Sequence, residues 1–155
     1  MESPVLDGFD RAILRTLQAE GRLTIQELSE RVGLSPSPVA RRLRRLEASG
    51  VIAGYAALID EARLGYGVSV FVSVRLDRQV DEALARFEAA VQGFPEVVDC
   101  WLMTGARDYL LRVATEDLAD FERFLTARLT RAPGVAAIES SIPLRRIKAG
   151  PSRAV

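Results

Sequence analysis

Residues Gly33 to Gly50 read GLSPSPVARRLRRLEASG, and this stretch decides the first half of the fold. Between Gly33 and Leu46 it holds four arginines and no acid, although the whole chain of 155 residues balances 21 basic against 21 acidic side chains. Gly33 suits the left-handed position that ends a helix. Ser35 or Ser37 can cap a new helix, and Pro36 or Pro38 then fills its first turn, where a missing N–H costs no hydrogen bond. Val39, Leu43 and Leu46 are spaced four and three apart, so they share one face. With that face inward, Arg41, Arg44 and Arg45 point outward, Ser37 lies on the same side one turn earlier, and Pro38 and Arg42 flank it.

Upstream, Thr24 and Glu27 form a capping-box pattern before the apolar stripe Ile25, Leu28 and Val32. Asp7 caps an earlier helix marked by Leu6, Phe9, Ile13, Leu14 and Leu17, and Gly21 ends it. A short helix, a glycine turn and a second helix with a basic outer face predict a helix-turn-helix. The partner this implies is double-stranded DNA. The candidate contacts are Ser35, Ser37, Pro38, Arg41, Arg42, Arg44 and Arg45. Ser37, Pro38 and Arg41 fall nearest base edges, because the N-terminal end of such a helix enters the major groove. Arg42, Arg44 and Arg45 are placed for phosphates, which add affinity without sequence information. The competing interpretation is a solvated arginine face on an ordinary helix. The neutral total does not oppose DNA binding, since the local patch acts within a Debye length of roughly 8–10 Å.

Downstream, Val51 to Ile59 reads as a short β arm, and residues 60–67, with two glycines, as a linker. Val68, Val70, Val72, Val74 and Leu76 then alternate with Ser69, Phe71, Ser73 and Arg75, predicting a strand with one core face. Leu84, Phe87 and Val91 mark a helix, Val97–Thr104 and Tyr109–Ala114 two strands joined by a turn at Gly105–Asp108. Leu118, Phe121, Leu125 and Leu129 mark another helix, and Val135–Ile142 a last strand. The order βαββαβ is the ferredoxin-like motif. The expected fold is thus α+β: an N-terminal winged helix-turn-helix of three helices with its β arm (1–59), the linker (60–67), and a C-terminal ferredoxin-like sandwich with a short basic tail (68–155). Phe71, Trp101 and Met103 can fall on the sheet face that the helices leave open, and such a face asks for a partner.

The residue inventory removes whole classes of chemistry. Histidine is absent, which excludes Ser-His-Asp and Cys-His catalysis and histidine metal sites. Cys100 is the one cysteine, so there is no internal disulfide and no thiolate metal site, and packing is its expected role. No cofactor and no metal are expected. No apolar run is long enough for a membrane span, and MESPVLDGFD carries no secretory signal, so the expected location is the cytoplasm.

The segments LDGFDRAILRTLQAEGRLTIQELSERVGLSPSPVARRLRRLEASGVIAGYAALID, TGARDYLLRV and APGV resemble the Lrp/AsnC family of feast/famine regulators over about residues 6 to 148. The resemblance implies a transcription factor with an effector-binding C-terminal domain. It also implies homodimers formed through the sheet domains, assembling to octamers, with an amino acid or similar metabolite bound at subunit interfaces. The family's effector pattern Gly-x-x-Asp-Tyr maps to Gly105, Asp108 and Tyr109, preceded by Thr104, with Ser140, Ser141 and Ile142 of the last strand nearby. Backbone N–H groups at a glycine turn can hold a carboxylate, and Asp108 can accept from an ammonium. Arg107 departs from the aromatic residue common at its position, and a cation there could meet an effector, a neighbouring subunit or solvent. Without the resemblance, Gly105–Tyr109 is an ordinary tight turn with a capping aspartate.

Two other functions compete. Siroheme decarboxylases resemble the same two-domain fold but depend on histidines, which this chain lacks. An architectural DNA- or metabolite-binding protein without a dedicated promoter would show little preference for any one sequence.

Overall fold

The computed structural model describes residues 5–150, 152 and 155. The chain divides into two compact units. One holds the described residues up to Leu58 together with those from Lys148 onward, and the other runs from Ile59 to Ile147.

The first unit is built on α1 (Gly8–Ala19), α2 (Ile25–Val32) and α3 (Pro36–Ala48). Both of the first two helices start on a complete capping box: Asp7 with Asp10, and Thr24 with Glu27. The reciprocal bonds satisfy N–H groups that the first helical turn leaves unpaired. Gly33 ends α2 at φ 70°, a left-handed conformation that glycine adopts without strain. Ser35 is the N-cap of α3 by backbone conformation, without a side-chain cap bond, and Pro36 follows at the first helical position. Ile13, Leu14, Leu28, Val39 and Leu46 form the buried core, with Leu43 packed at its margin. The predicted inward face of α3 is the observed one.

The second unit is a four-stranded antiparallel sheet in the order β2-β3-β1-β4, with β1 Val68–Leu76, β2 Val97–Leu102, β3 Tyr109–Thr115 and β4 Val135–Ser141. Two helices, α4 (Asp81–Gln92) and α5 (Leu118–Ala127), complete the βαββαβ order. Val70, Val72 and Val74 on β1 and Leu111 and Val113 on β3 are fully buried, and Phe87 and Phe124 close over them from the helices. Each such side chain contributes about 1.5–3 kcal/mol relative to exposure. The opposite face presents Phe71 beside Arg112, and Trp101 beside Leu110. Trp101 there is 43% exposed.

One expectation is corrected. Val51–Ile59 forms no strand. Its apolar residues suit a strand, but a strand exists only by pairing its N–H and C=O groups with another. Among the described residues none lies opposite it, and Tyr55, Leu58 and Ile59 are exposed. Within 60–67, Ala62–Leu64 forms a short 3-10 turn, and Glu61 ahead of it pairs with Arg112 of β3 at 2.9 Å.

Candidate functional site

The first candidate surface is the outward side of α3. Ser35, Ser37, Arg41 and Arg44 are exposed and Pro38 is half-buried. Arg41 and Arg44 make no ion pair among the described residues. Arg42 and Arg45 behave differently. Arg42 donates to Asp7 at 2.6 Å and to Asp10 at 2.8 Å, and its guanidinium lies 5.6 Å from the centre of the Phe9 ring. Arg45 also pairs with Asp10. The hydrogen bonds to Asp7 and Asp10 raise the Arg42 pKa above its ordinary value. The Asp7 carboxyl is lowered, first by the Asp10 backbone N–H it caps and then by Arg42. Four arginines close in sequence thus fall into two kinds, two free at the surface and two engaged with α1.

The second candidate is a pocket of about 230 Å³ beside the β2–β3 turn, lined by Gln79, Leu84, Leu102, Met103, Gly105 and Asp108. Gly105 turns the chain at φ 108°, with open space where a Cβ would stand. Asp108 is 5% exposed and both its oxygens are engaged. One accepts from the Leu76 backbone N–H at 2.7 Å and the other from the Gln79 amide at 2.5 Å. The aspartate therefore ties the loop after β1 to the turn before β3, and shapes the pocket from inside.

Of the sequence-derived effector candidates, Gly105 and Asp108 line this pocket, whereas Thr104, Arg107, Tyr109 and Ser141 do not. Tyr109 is buried against Phe87, ring centroids 4.6 Å apart. Its hydroxyl donates to Glu88 of α4 at 2.8 Å. Burial, then that carboxylate, push its phenol well above the ordinary range. Arg107 pairs with Glu139 of β4 at 2.6 Å. Thr104 is exposed, and so is Ser141, which sits beside Phe71 in the register. Gln79, Leu84, Leu102 and Met103 carry no motif, and the fold alone gathers them from a loop, a helix and a strand end.

A helix-turn-helix with a basic outer face, joined to a ferredoxin-like domain with a pocket at its central turn, defines a ligand-responsive DNA-binding regulator. Residues 6–53 match the winged helix-turn-helix DNA-binding model, and residues 69–153 match the Lrp/AsnC ligand binding domain. The chain is 49% identical to the Bkd operon transcriptional regulator of Pseudomonas aeruginosa, covering 92% of this chain and 93% of that one. It is 40% identical to the leucine-responsive regulatory protein of Escherichia coli K12, covering 92% and 87%. A Neisseria meningitidis transcriptional regulator solved in complex with L-Met superposes with a TM-score of 0.91 at 42% identity, covering 96% of each chain. The protein belongs to the Lrp/AsnC family of transcriptional regulators, which are not enzymes. Among the described residues no helix is long and apolar enough to cross a membrane.

Proposed function

We propose that this regulator reads DNA with the N-terminal, outward side of α3. Ser37, Pro38 and Arg41 lie nearest the bases, Ser35 contacts DNA from the N-cap beside them, and Arg44 lies on a phosphate. The observation that carries this assignment is that Arg41 and Arg44 are exposed and make no ion pair among the described residues, on a helix whose apolar face is fixed in the core. An arginine at a guanine edge discriminates by about 1–3 kcal/mol, whereas a phosphate contact acts alike on all sequences. Arg41→Ala should therefore weaken a preferred duplex and relax preference at one position. Arg44→Ala should weaken all duplexes similarly and lower the salt slope by about 1. Binding to a duplex selected by the wild-type chain from a random pool, compared with random-sequence DNA, measures both. Unchanged affinity for the selected duplex in both variants would overturn the assignment.

The effector is an amino acid or close relative held beside the Gly105–Tyr109 turn. Its apolar part would meet Leu84, Leu102 and Met103, and its charged ends the turn's backbone and Gln79. Relatives whose names record responses to leucine or a complex with L-Met support this class. A thermal-shift series with L-leucine and L-methionine tests it, since a ligand that binds the folded state raises the melting temperature. The open sheet face, with Phe71, Leu110 and Trp101, would pair two copies into a dimer acting in the cytoplasm. Dimers would assemble further to an octamer, with Thr104, Arg107 and Ser141 meeting effector or a neighbouring subunit. Effector binding then biases one assembly over another by linkage.

A further inference from the structure

Asp10 stands apart from the other described acids of the chain's first unit, because its side chain is 1% exposed and it faces two arginines. Its Oδ1 accepts from Arg42 at 2.8 Å. Its Oδ2 accepts from the Asp7 backbone N–H at 3.2 Å and from Arg45. Asp7 is the N-cap of α1 and Asp10 lies in its first turn, while Arg42 and Arg45 are one turn apart on α3. The two rows face each other, and Arg42 bridges both acids. A carboxylate withdrawn from water is costly unless it is paired and hydrogen-bonded. If Arg42 or Arg45 swung away to a phosphate, it would strip a partner from a buried charge. The energetic preference is for both to stay.

We propose that Asp10 is a positioning residue for DNA recognition: its buried carboxylate holds Arg42 and Arg45 against α1, so that they fix the rotation of α3 and do not neutralise phosphates. This rests on α3 being the recognition helix. Rotation matters because base contacts depend on hydrogen-bond geometry, whereas non-specific attraction depends on charge alone. The clamp thus trades positive charge at the interface for a fixed presentation of Ser37, Pro38 and Arg41.

Asp10→Asn and Arg45→Gln in the full chain separate this from a merely structural role. The probes are the selected duplex and a random-sequence duplex of equal length, titrated between about 50 and 200 mM salt. Asp10→Asn releases Arg45 and leaves Arg42 held by Asp7 alone, so the salt slope should steepen by about 1, while the ratio of selected to random affinity falls about tenfold or more. Arg45→Gln should lower that ratio and leave the salt slope unchanged. A slope reduced by about 1 in Arg45→Gln would make Arg45 a phosphate contact and overturn the proposal, even if Asp10→Asn fails to fold. Equal weakening of both duplexes by Asp10→Asn at an unchanged slope would also overturn it. Arg41→Ala measured alongside tests the recognition helix itself: if that variant weakens the selected duplex while the Asp10 and Arg45 outcomes fail, the clamp alone is wrong.

Discussion

The Tyr109 hydroxyl on β3 donates to the Glu88 carboxylate on α4 at 2.8 Å, joining sheet to helix beneath the ligand-domain core. Tyr109 is 1% exposed, so its ring is a core side chain and its hydroxyl the polar atom to be satisfied. Tyr109→Phe keeps the ring against Phe87 and removes only the donor. A bond to a charged acceptor contributes about 1.5–3 kcal/mol, so urea unfolding should show a loss in that range. A Tyr109→Phe variant as stable as the wild type would mean that water replaces the hydroxyl at Glu88 without cost.

Glu88 also acts on Cys100. The cysteine reaches solvent on β2, yet desolvation by its surroundings, and then the Glu88 charge, push its thiol up to about 11. Thiolate is the reactive form, so at pH 8 alkylation should run about 100-fold slower than for a thiol titrating near 9. The rate should climb with a midpoint near pH 11. Glu88→Gln should move that midpoint down, and iodoacetamide labelling followed by mass measurement reads both.

Asp108 has a role in stability separate from any ligand. It accepts from the Leu76 N–H at a buried position, so Asp108→Ala leaves that donor without its partner. An orphaned buried donor costs about 1–3 kcal/mol. Asp108→Asn retains one acceptor and should lose less. Chemical unfolding of the three proteins without ligand should rank them wild type, Asn, Ala.

How far the sequence disclosed all this depended on the range of the interaction. Thr24 with Glu27, Gly33, and the alternation Val68 to Leu76 are local patterns, and each produced the element it predicted. Asp7 was legible as a cap, but Asp10 was not legible as a clamp. Its arginine partners lie 32 and 35 residues away, and their meeting depends on how α1 packs on α3. Asp108 presented the same difficulty: it suited a local turn cap, whereas its partners Leu76 and Gln79 come from the end of β1 and the loop after it. Gln79, Leu84, Leu102 and Met103 share a pocket only because β2 and β1 end near one another around β3. The Val51–Ile59 segment failed in the opposite way. Its composition was that of a strand, but composition does not supply the second strand that pairing requires.

The helix caps of the first unit give its stability a direction in pH. Asp7 and Glu27 both titrate below their ordinary values. The Asp10 backbone N–H and Arg42 lower the first, and the backbone and hydroxyl of Thr24 lower the second. A carboxyl whose folded pKa is depressed contributes stability that is present above its unfolded value, here near 3.8 and 4.5, and lost as pH falls through the folded value. The melting temperature should therefore hold from neutral pH down to about 5 and decline below about 4. Asp7→Asn keeps a capping oxygen but cannot ionise, and Glu27→Gln does the same at α2. The double variant should melt lower than the wild type at pH 7 and show a shallower decline on acidification, because two of the groups that bind protons on unfolding are gone. A wild-type acid profile unchanged by the double substitution would place the acid sensitivity outside these two caps.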